Sequence, residues 1–372
     1  MKRLRLAFLG SRGIPARYGG FETLMEELAP RLVHLGFEVT VYCRTRYTSS
    51  DCTQYKGVHL IRLPSLYTKY TETPVHTALS CLHALARRYD AALLVNGANA
   101  LFVPLLRMTG TPVALNVDGI EKKRAKWGPL GRLVYSISER LAVALPTVII
   151  TDAKVIEDHY RKRYGADSTV ISYGVEPHPL PPGETLSRLG IEPRKYFLYV
   201  SRFEPENNPH RVVEAYRAVS GDFPLVMVGD APYAKAFISN FKTAADPRVM
   251  FPGAIYGDGY RELLSNAYAF IQATEVGGTH PALVEAMGYG NCLLVNDTPE
   301  NREVAGDTAL YFRVPEPVTL SAQLNRLLQS PGEAEAFAKR SAERALMLFS
   351  WKTVSTQYAE LFRTLADRGE KR

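Results

Sequence analysis

Four stretches combine glycine, arginine and carboxylate in ways that suit an anionic, hydroxyl-bearing ligand. The first, FLGSRGIPARYGGFETLMEEL (8–28), sets Gly10, Gly13, Gly19 and Gly20 with Arg12 and Arg17 between an apolar run and an amphipathic one. Glycine permits close backbone approach, and arginine grips anions through a planar fork of donors. Gly19-Gly20 would open a helix whose free N–H groups form an anion site, with Arg12 and Arg17 reaching to the same phosphate. The second, VSRFEPENNPHRVVEAY (200–216), puts Arg202 just past an apolar run, where it would clamp a diphosphate, and leads through Asn207-Asn208-Pro209 into a helix. The third, ATEVGGTHPALVEAMGYGNCLLVND (273–297), offers Gly277-Gly278 for close approach and Pro281 for a helix's first turn. His280 ahead of that helix would donate to phosphate or sugar. Glu285, one turn inside, would accept two hydrogen bonds from a ribose diol. The fourth is a cluster of Glu300, Asn301 and Glu303 at a turn past an apolar run.

These residues need elements to hold them. Apolar runs at 4–10, 38–43, 58–64, 91–97, 112–119, 147–152 and 168–174 read as strands, with helices over 20–35, 74–88 and 99–108. Continuous apolar strands separated by helices predict a parallel sheet covered on both faces. The stretch 173–196 carries five prolines with little periodicity and reads as a linker. A second series follows: strands at 196–202, 224–230, 248–253, 269–274 and 292–297, and helices at 209–217, 231–243, 258–266 and 281–289. The expected architecture is α/β, with two Rossmann-like domains facing across a cleft. Residues 1–178 form the first and 196–352 the second, joined by 179–195, and a final helix crosses back to the first domain over 353–372. In such sheets ligands bind beyond the carboxyl ends of the strands.

Several classes are excluded. The dinucleotide fingerprint needs G-x-G-x-x-G and an acid closing the second strand; here the loop is longer and Cys43-Arg44 ends that strand. The P-loop motif is absent. Cys43, Cys52, Cys81 and Cys292 have no metal spacing, so free thiols are expected. With 46% hydrophobic and 22% charged residues, the composition is that of a soluble globular protein. No apolar run reaches the roughly 18 residues of a spanning helix. The basic-then-apolar start is too short for a signal peptide and reads as a buried strand, so a cytoplasmic protein is expected. The net charge of +7 suits nucleic acid, an anionic membrane or phosphorylated small molecules. The basic residues are scattered rather than striped and no nucleic-acid module is present, so nucleic acid is not expected as a partner.

Taken together and in order, these residues resemble retaining GT-B glycosyltransferases of family 4. RFEPE (202–206), GDAP (229–232), ALVEAMGYG (282–290) and the tail FSWKTVSTQY (349–358) carry the resemblance over nearly the whole chain. GSRGIPARYGGFET (10–23), NVDGIEKKRAKWG (116–128), RFEPENN (202–208) and GGTHPALVEAM (277–287) are similar to a bacterial rhamnosyltransferase-like subgroup that builds surface polysaccharides. What the resemblance implies is transfer of L-rhamnose from dTDP-β-L-rhamnose, with retention, to a lipid-diphosphate-linked saccharide. A UDP- or GDP-sugar donor is the main alternative, and a nucleotide-sugar epimerase of the same fold a lesser one.

Carried onto this chain, the resemblance makes Arg202, His280 and Asp118 catalytic, with Asp118 the candidate base and Glu121 second. Gly19, Gly20, Arg12, Arg17, Asn207, Gly277, Gly278, Thr279 and Glu285 would bind the donor. Glu121, Arg124 and Lys126 would bind the acceptor. Three positions depart from the family pattern. Gly277 stands where members carry a Glu eight residues before Glu285, Asn207 replaces a phosphate-binding Lys, and Asp118 replaces a His that contacts a donor 6-hydroxyl, which rhamnose lacks. No DxD motif is present, so neither metal nor other cofactor is expected. A lipid-held acceptor implies peripheral attachment to the inner face of the cell membrane, with Lys2, Arg3, Lys122, Lys123, Arg124, Lys126, Arg132, Tyr67, Tyr70 and Trp127 facing anionic headgroups.

Overall fold

The computed structural model describes residues 3–16, 19–49, 51–68, 71–117, 119, 128–231 and 234–370. The chain divides into two compact units. One takes the residues up to Tyr173 together with those from Trp351 onward, and the other takes Gly174–Ser350.

In the first unit the elements are β1 (Arg5–Leu9), α1 (Gly20–His34), β2 (Glu38–Arg44), β3 (Gln54–Tyr55), β4 (Val58–Leu63), α2 (Glu72–Leu85), β5 (Ala91–Val95), α3 (Val103–Arg107), β6 (Val113–Val117), α4 (Pro129–Ala144), β7 (Val148–Thr151), α5 (Lys154–Tyr164) and β8 (Thr169–Val170). The second unit continues with α6 (Glu184–Leu189), β9 (Phe197–Val200), α7 (Pro209–Tyr216), β10 (Leu225–Val228), α8 (Lys235–Thr243), β11 (Val249–Gly253), α9 (Gly257–Asn266), β12 (Ala269–Gln272), α10 (Pro281–Gly288), β13 (Cys292–Asn296), α11 (Pro299–Ala305), β14 (Ala309–Phe312), α12 (Pro317–Gln329) and α13 (Pro331–Leu348), and α14 (Trp351–Glu370) closes the chain. The helix expected over 99–108 begins instead as a 3-10 turn at Gly97–Phe102. Helices α4, α5, α12 and α13 lie where the apolar pattern alone marked none.

The sheets run β3-β4-β2-β1-β5-β6-β7-β8 and β11-β10-β9-β12-β13-β14, parallel except where β3 pairs with β4. Each unit is doubly wound, and alternation along single strands shows why the runs are apolar throughout. Leu6 and Phe8 join the core under α1, whereas Ala7 and Leu9 join the core on the other face. In β9, Phe197 and Tyr199 face one core and Leu198 the other. A strand buried on both faces has no polar side to show.

Helix α14 belongs to the first unit. Trp351, Val354, Tyr358, Phe362 and Leu365 are buried in the core with β1 and α1, and the Phe8 and Phe362 rings stand 6.0 Å apart. Asn116 Nδ2 donates to Tyr358 Oη at 2.9 Å. Each fully buried side chain of this size contributes about 1.5–3 kcal/mol, which is ample to hold one helix in place.

The segment 179–195 is not a free linker. Leu186 and Ile191 are buried in the second unit's core, and the Glu262 carboxylate on α9 accepts N–H bonds from Gly183, Thr185 and Leu186 at 2.8–3.1 Å. Burial works against that charge, but the three donors outweigh it and hold the carboxyl below its ordinary range. Prolines without periodicity marked an irregular backbone; they did not reveal that a buried acid on another helix anchors it.

Candidate active site

In the second unit the strand order reverses between β9 and β12, where the chain builds outward on either side. Such a switch point leaves a crevice beyond the strand ends, and ligands bind there. The loops leaving these two strands are the second and third stretches singled out above. They are tied together: Asn208 Nδ2 donates to Ala273 O at 3.0 Å, and Glu275 N donates to Glu206 O at 3.0 Å.

On the β9 loop, Arg202 is about a third exposed, with Glu204 3.6 Å away. Asn207 is bonded within its own loop. It is buried, and Nδ2 donates to the Arg202 carbonyl at 2.7 Å while Tyr199 Oη donates to the Asn207 carbonyl at 2.6 Å. A short amide cannot span the reach of the lysine it replaces, and it braces the backbone beneath Arg202 instead. Asn208 takes the left-handed conformation (φ 57°) that turns the chain into Pro209 and α7.

On the β12 loop, Gly277, Gly278 and Thr279 are buried ahead of α10. His280 is the N-cap of that helix, but its side chain makes no cap bond. A β-carbon on Gly277 would stand 2.4 Å from His280 Cε1. The imidazole thus fills the space that a side chain at 277 would need. Glu285 lies half-buried one turn into α10 and accepts a 2.6 Å bond from Tyr260 Oη of α9. Burial and the adjacent carboxylate push the Tyr260 phenol far above its usual range, so it remains a donor that orients Glu285. Tyr260 carried no signal in the sequence, because its partner lies 25 residues away on another helix.

The Glu300–Asn301–Glu303 turn is a cap. Thr298 Oγ1 accepts from Asn301 N, and Asn301 Nδ2 donates to the carbonyls of Thr274 and Asn296, so this buried amide knits the ends of β12 and β13.

In the first unit the switch point falls between β1 and β5. Two carboxylates of α1 hold the loop after β1: Arg12 N donates to Glu22 Oε1 at 2.7 Å and Ala16 N to Glu26 Oε2 at 2.8 Å. Gly19 is extended at the N-cap, and a β-carbon there would lie 2.7 Å from Glu22 Oε2. Its missing side chain therefore makes room for the helix's own acid, not only for a ligand. Gly13 answers to Cys43, whose Sγ would lie 2.5 Å from an added β-carbon. The Arg12 guanidinium stands over the Tyr47 ring at 5.0 Å. Cys43, Cys81 and Cys292 are buried and all four cysteines are free. Arg17, Asp118, Glu121, Arg124 and Lys126 lie outside the described residues, as do Lys2, Tyr70, Lys122, Lys123, Trp127 and the side chain of Arg132. Among the described residues no helix is long and apolar enough to cross a membrane.

Two Rossmann-like domains, with the last helix returned to the first, are the GT-B architecture. Known proteins agree. A sucrose-phosphate synthase from Thermosynechococcus elongatus superposes with a TM-score of 0.82 at 19% identity, covering 98% of this chain and 99% of that one. Anabaena HepE, solved with UDP and glucose, gives 0.80 at 14% identity, covering 97% and 100%. The α-maltose-1-phosphate synthase of Mycolicibacterium smegmatis is 23% identical over 289 residues, 69% of this chain and 74% of the relative. Residues 4–176 match a domain of unknown function, DUF1972. Residues 185–344 match the family of glycosyl transferases group 1.

Proposed function

We propose that this protein is a retaining, metal-independent glycosyltransferase that moves L-rhamnose from dTDP-β-L-rhamnose to a lipid-diphosphate-linked saccharide in bacterial surface polysaccharide synthesis. The observation that carries the reading is the switch point of the second unit. There Arg202 stands on one of two loops that hydrogen-bond to each other, and the second loop leads into the amide end of α10 and to Glu285 one turn inside it, which Tyr260 orients. A guanidinium and helix N–H groups suit a diphosphate, and a fixed carboxylate suits a ribose diol.

Cleavage of the anomeric C–O bond builds positive charge on the sugar and negative charge on the departing diphosphate. Preorganised donors at that diphosphate lower the barrier, and Arg202, His280 and the N–H groups of Gly278, Thr279 and α10 would supply them. Gly19-Gly20, Arg12 and Arg17 are proposed as further phosphate donors. The leaving phosphate oxygen would accept the acceptor's proton on the same face, which preserves configuration, with Asp118 assisting as base and Glu121, Arg124 and Lys126 holding the acceptor. The absence of a DxD motif supports chemistry without a metal.

Thermal-shift assays with dTDP, UDP, GDP and NADP, followed by turnover with the sugars of the best nucleotide, test the reading. Stabilisation by dTDP and consumption of dTDP-rhamnose are expected; a response to NADP alone would overturn it. The rival donor is a UDP-sugar, since UDP occupies the HepE neighbour, and the same panel separates the two. A lipid-held acceptor would place the protein in the cytoplasm, docked on the membrane through its basic surplus. Washing membranes at rising ionic strength should release it, and equal partition at low and high salt refutes the docking.

A further inference from the structure

Strand β9 reads Phe-Leu-Tyr-Val over 197–200, and its tyrosine carries a polar atom into the core. Tyr199 is 1% exposed, and its ring lies in the second unit's core, stacked near Phe203 with centroids 6.5 Å apart. Phenylalanine would supply the same packing without a hydroxyl to satisfy. A buried hydroxyl costs free energy unless it is bonded, so the bonds of this one show what it is for.

All of them run to the turn that follows the strand. Tyr199 Oη donates to the Asn207 carbonyl at 2.6 Å and accepts from Ser201 Oγ at 2.6 Å. The direction follows from the partner, since a carbonyl only accepts. Burial pushes the phenol well above its ordinary range, so Oη keeps the proton it donates. Asn207 Nδ2 then returns to the Arg202 carbonyl at 2.7 Å, and Glu204 N donates to the same carbonyl at 2.7 Å. Tyr199, Ser201, Arg202 and Asn207 thus close a ring of bonds on the Arg202 backbone. The Arg202 guanidinium is about a third exposed and lies 3.6 Å from Glu204, too far for a hydrogen bond. The backbone beneath it is what the fold fixes, and a long side chain leaving a fixed α-carbon has less freedom to lose on binding.

We propose that Tyr199 is a positioning residue for donor binding: its hydroxyl fixes the 201–207 turn and so holds Arg202 where it meets the diphosphate. The role rests on the glycosyltransferase function proposed above, in which Arg202 is the diphosphate clamp. It adds a core group that touches no substrate and acts only through that arginine.

Titration calorimetry on the full chain with dTDP and UDP tests the role in the wild type, Tyr199→Phe, Arg202→Ala and the double variant. Tyr199→Phe removes one oxygen and keeps the ring, and Ser201 Oγ retains the Arg202 carbonyl, 3.0 Å away, as an acceptor, so the variant should fold. The better nucleotide should bind Tyr199→Phe about tenfold more weakly, the scale of one hydrogen bond serving a charged group. In the Arg202→Ala background the same substitution should change affinity by less than about twofold, because the group it positions has gone. In turnover assays Tyr199→Phe should raise the donor KM and leave the acceptor KM in place. A role confined to stability would lower the urea midpoint with affinity unchanged, or would weaken binding equally in both backgrounds, and either result overturns the proposal. If Tyr199→Phe does not fold, Ser201→Ala runs the same cycle from a half-buried site: a roughly threefold loss that disappears with Arg202→Ala is expected, and no loss overturns the proposal. A wild type that binds neither nucleotide fails the transferase reading and removes the role with it, whereas a wild type that binds, with an additive cycle, removes the role alone.

Discussion

The imidazole of His280 covers the α-carbon of Gly277, so that a β-carbon built there would stand 2.4 Å from Cε1. Where the resembling family carries a glutamate, this chain has put a histidine ring three residues further on. A side chain at 277 would have to displace the tip of this partly exposed ring.

Gly277→Ala should therefore destabilise by no more than about 1 kcal/mol, since only the tip of a partly exposed side chain must move. The cost should largely vanish in a His280→Ala background. Urea denaturation of the two single variants and the double gives the coupling, and additive effects would show that the ring swings away freely.

Glu285 is oriented by the Tyr260 phenol at 2.6 Å. If it holds the ribose, Glu285→Ala should weaken nucleotide binding by roughly ten- to a hundredfold, the range for a hydrogen-bonded charged group. Tyr260→Phe should cost less, because the carboxylate survives but loses its guide. Calorimetry with dTDP and UDP measures both, and unchanged affinity in Glu285→Ala would remove that residue from the ribose role.

Asn207→Lys restores the cation of the resembling family, and charge alone predicts tighter nucleotide binding. We expect the reverse. The substitution breaks the 2.7 Å bond to the Arg202 carbonyl and places a long cation at a buried position. Affinity should fall by about tenfold, the scale of one lost hydrogen bond. A gain in affinity would show that the loop relaxes to accept the lysine.

His76 on α2 is fully buried. Burial first, and then the charge of Arg44, lower its pKa to about 4. Arg44 is itself buried and paired with Glu72 at 3.0 Å. The unfolded chain takes up a proton near pH 6.5 that the folded protein refuses until about pH 4, so stability contributed by this group rises with pH across that window. At pH 4.5 the wild type should have lost about 2–3 kcal/mol on this account. His76→Gln should show a flatter dependence between pH 7.5 and 4.5 in urea titrations. Parallel curves would place the proton elsewhere.

The repeating architecture was legible without coordinates, since buried parallel strands must be apolar throughout and so announce themselves as runs. Arg202, Gly277-Gly278 and Glu285 were legible for a related reason: each sits at a fixed offset from such a run, which fixes it to a strand end or a first helical turn. The prolines of 173–196 misled, because proline reports backbone irregularity and says nothing about what the irregular backbone touches. The type of Asn207 showed that a cation was missing but not that its Nδ2 donates to the Arg202 carbonyl.

What the sequence by itself determined is therefore the two α/β domains, the loops at their strand ends, and the kinds of group those loops carry. All of these follow from local periodicity and from the conformational limits of glycine and proline. Only the tertiary structure decided who meets whom: Tyr260 with Glu285, His280 over Gly277, Glu22 with the Arg12 backbone, Glu262 with the 183–186 turn, and Tyr358 of the last helix with Asn116. Such pairings depend on distances near 3 Å between groups brought together by packing. Residue spacing assigns a side chain to a face but does not choose its partner.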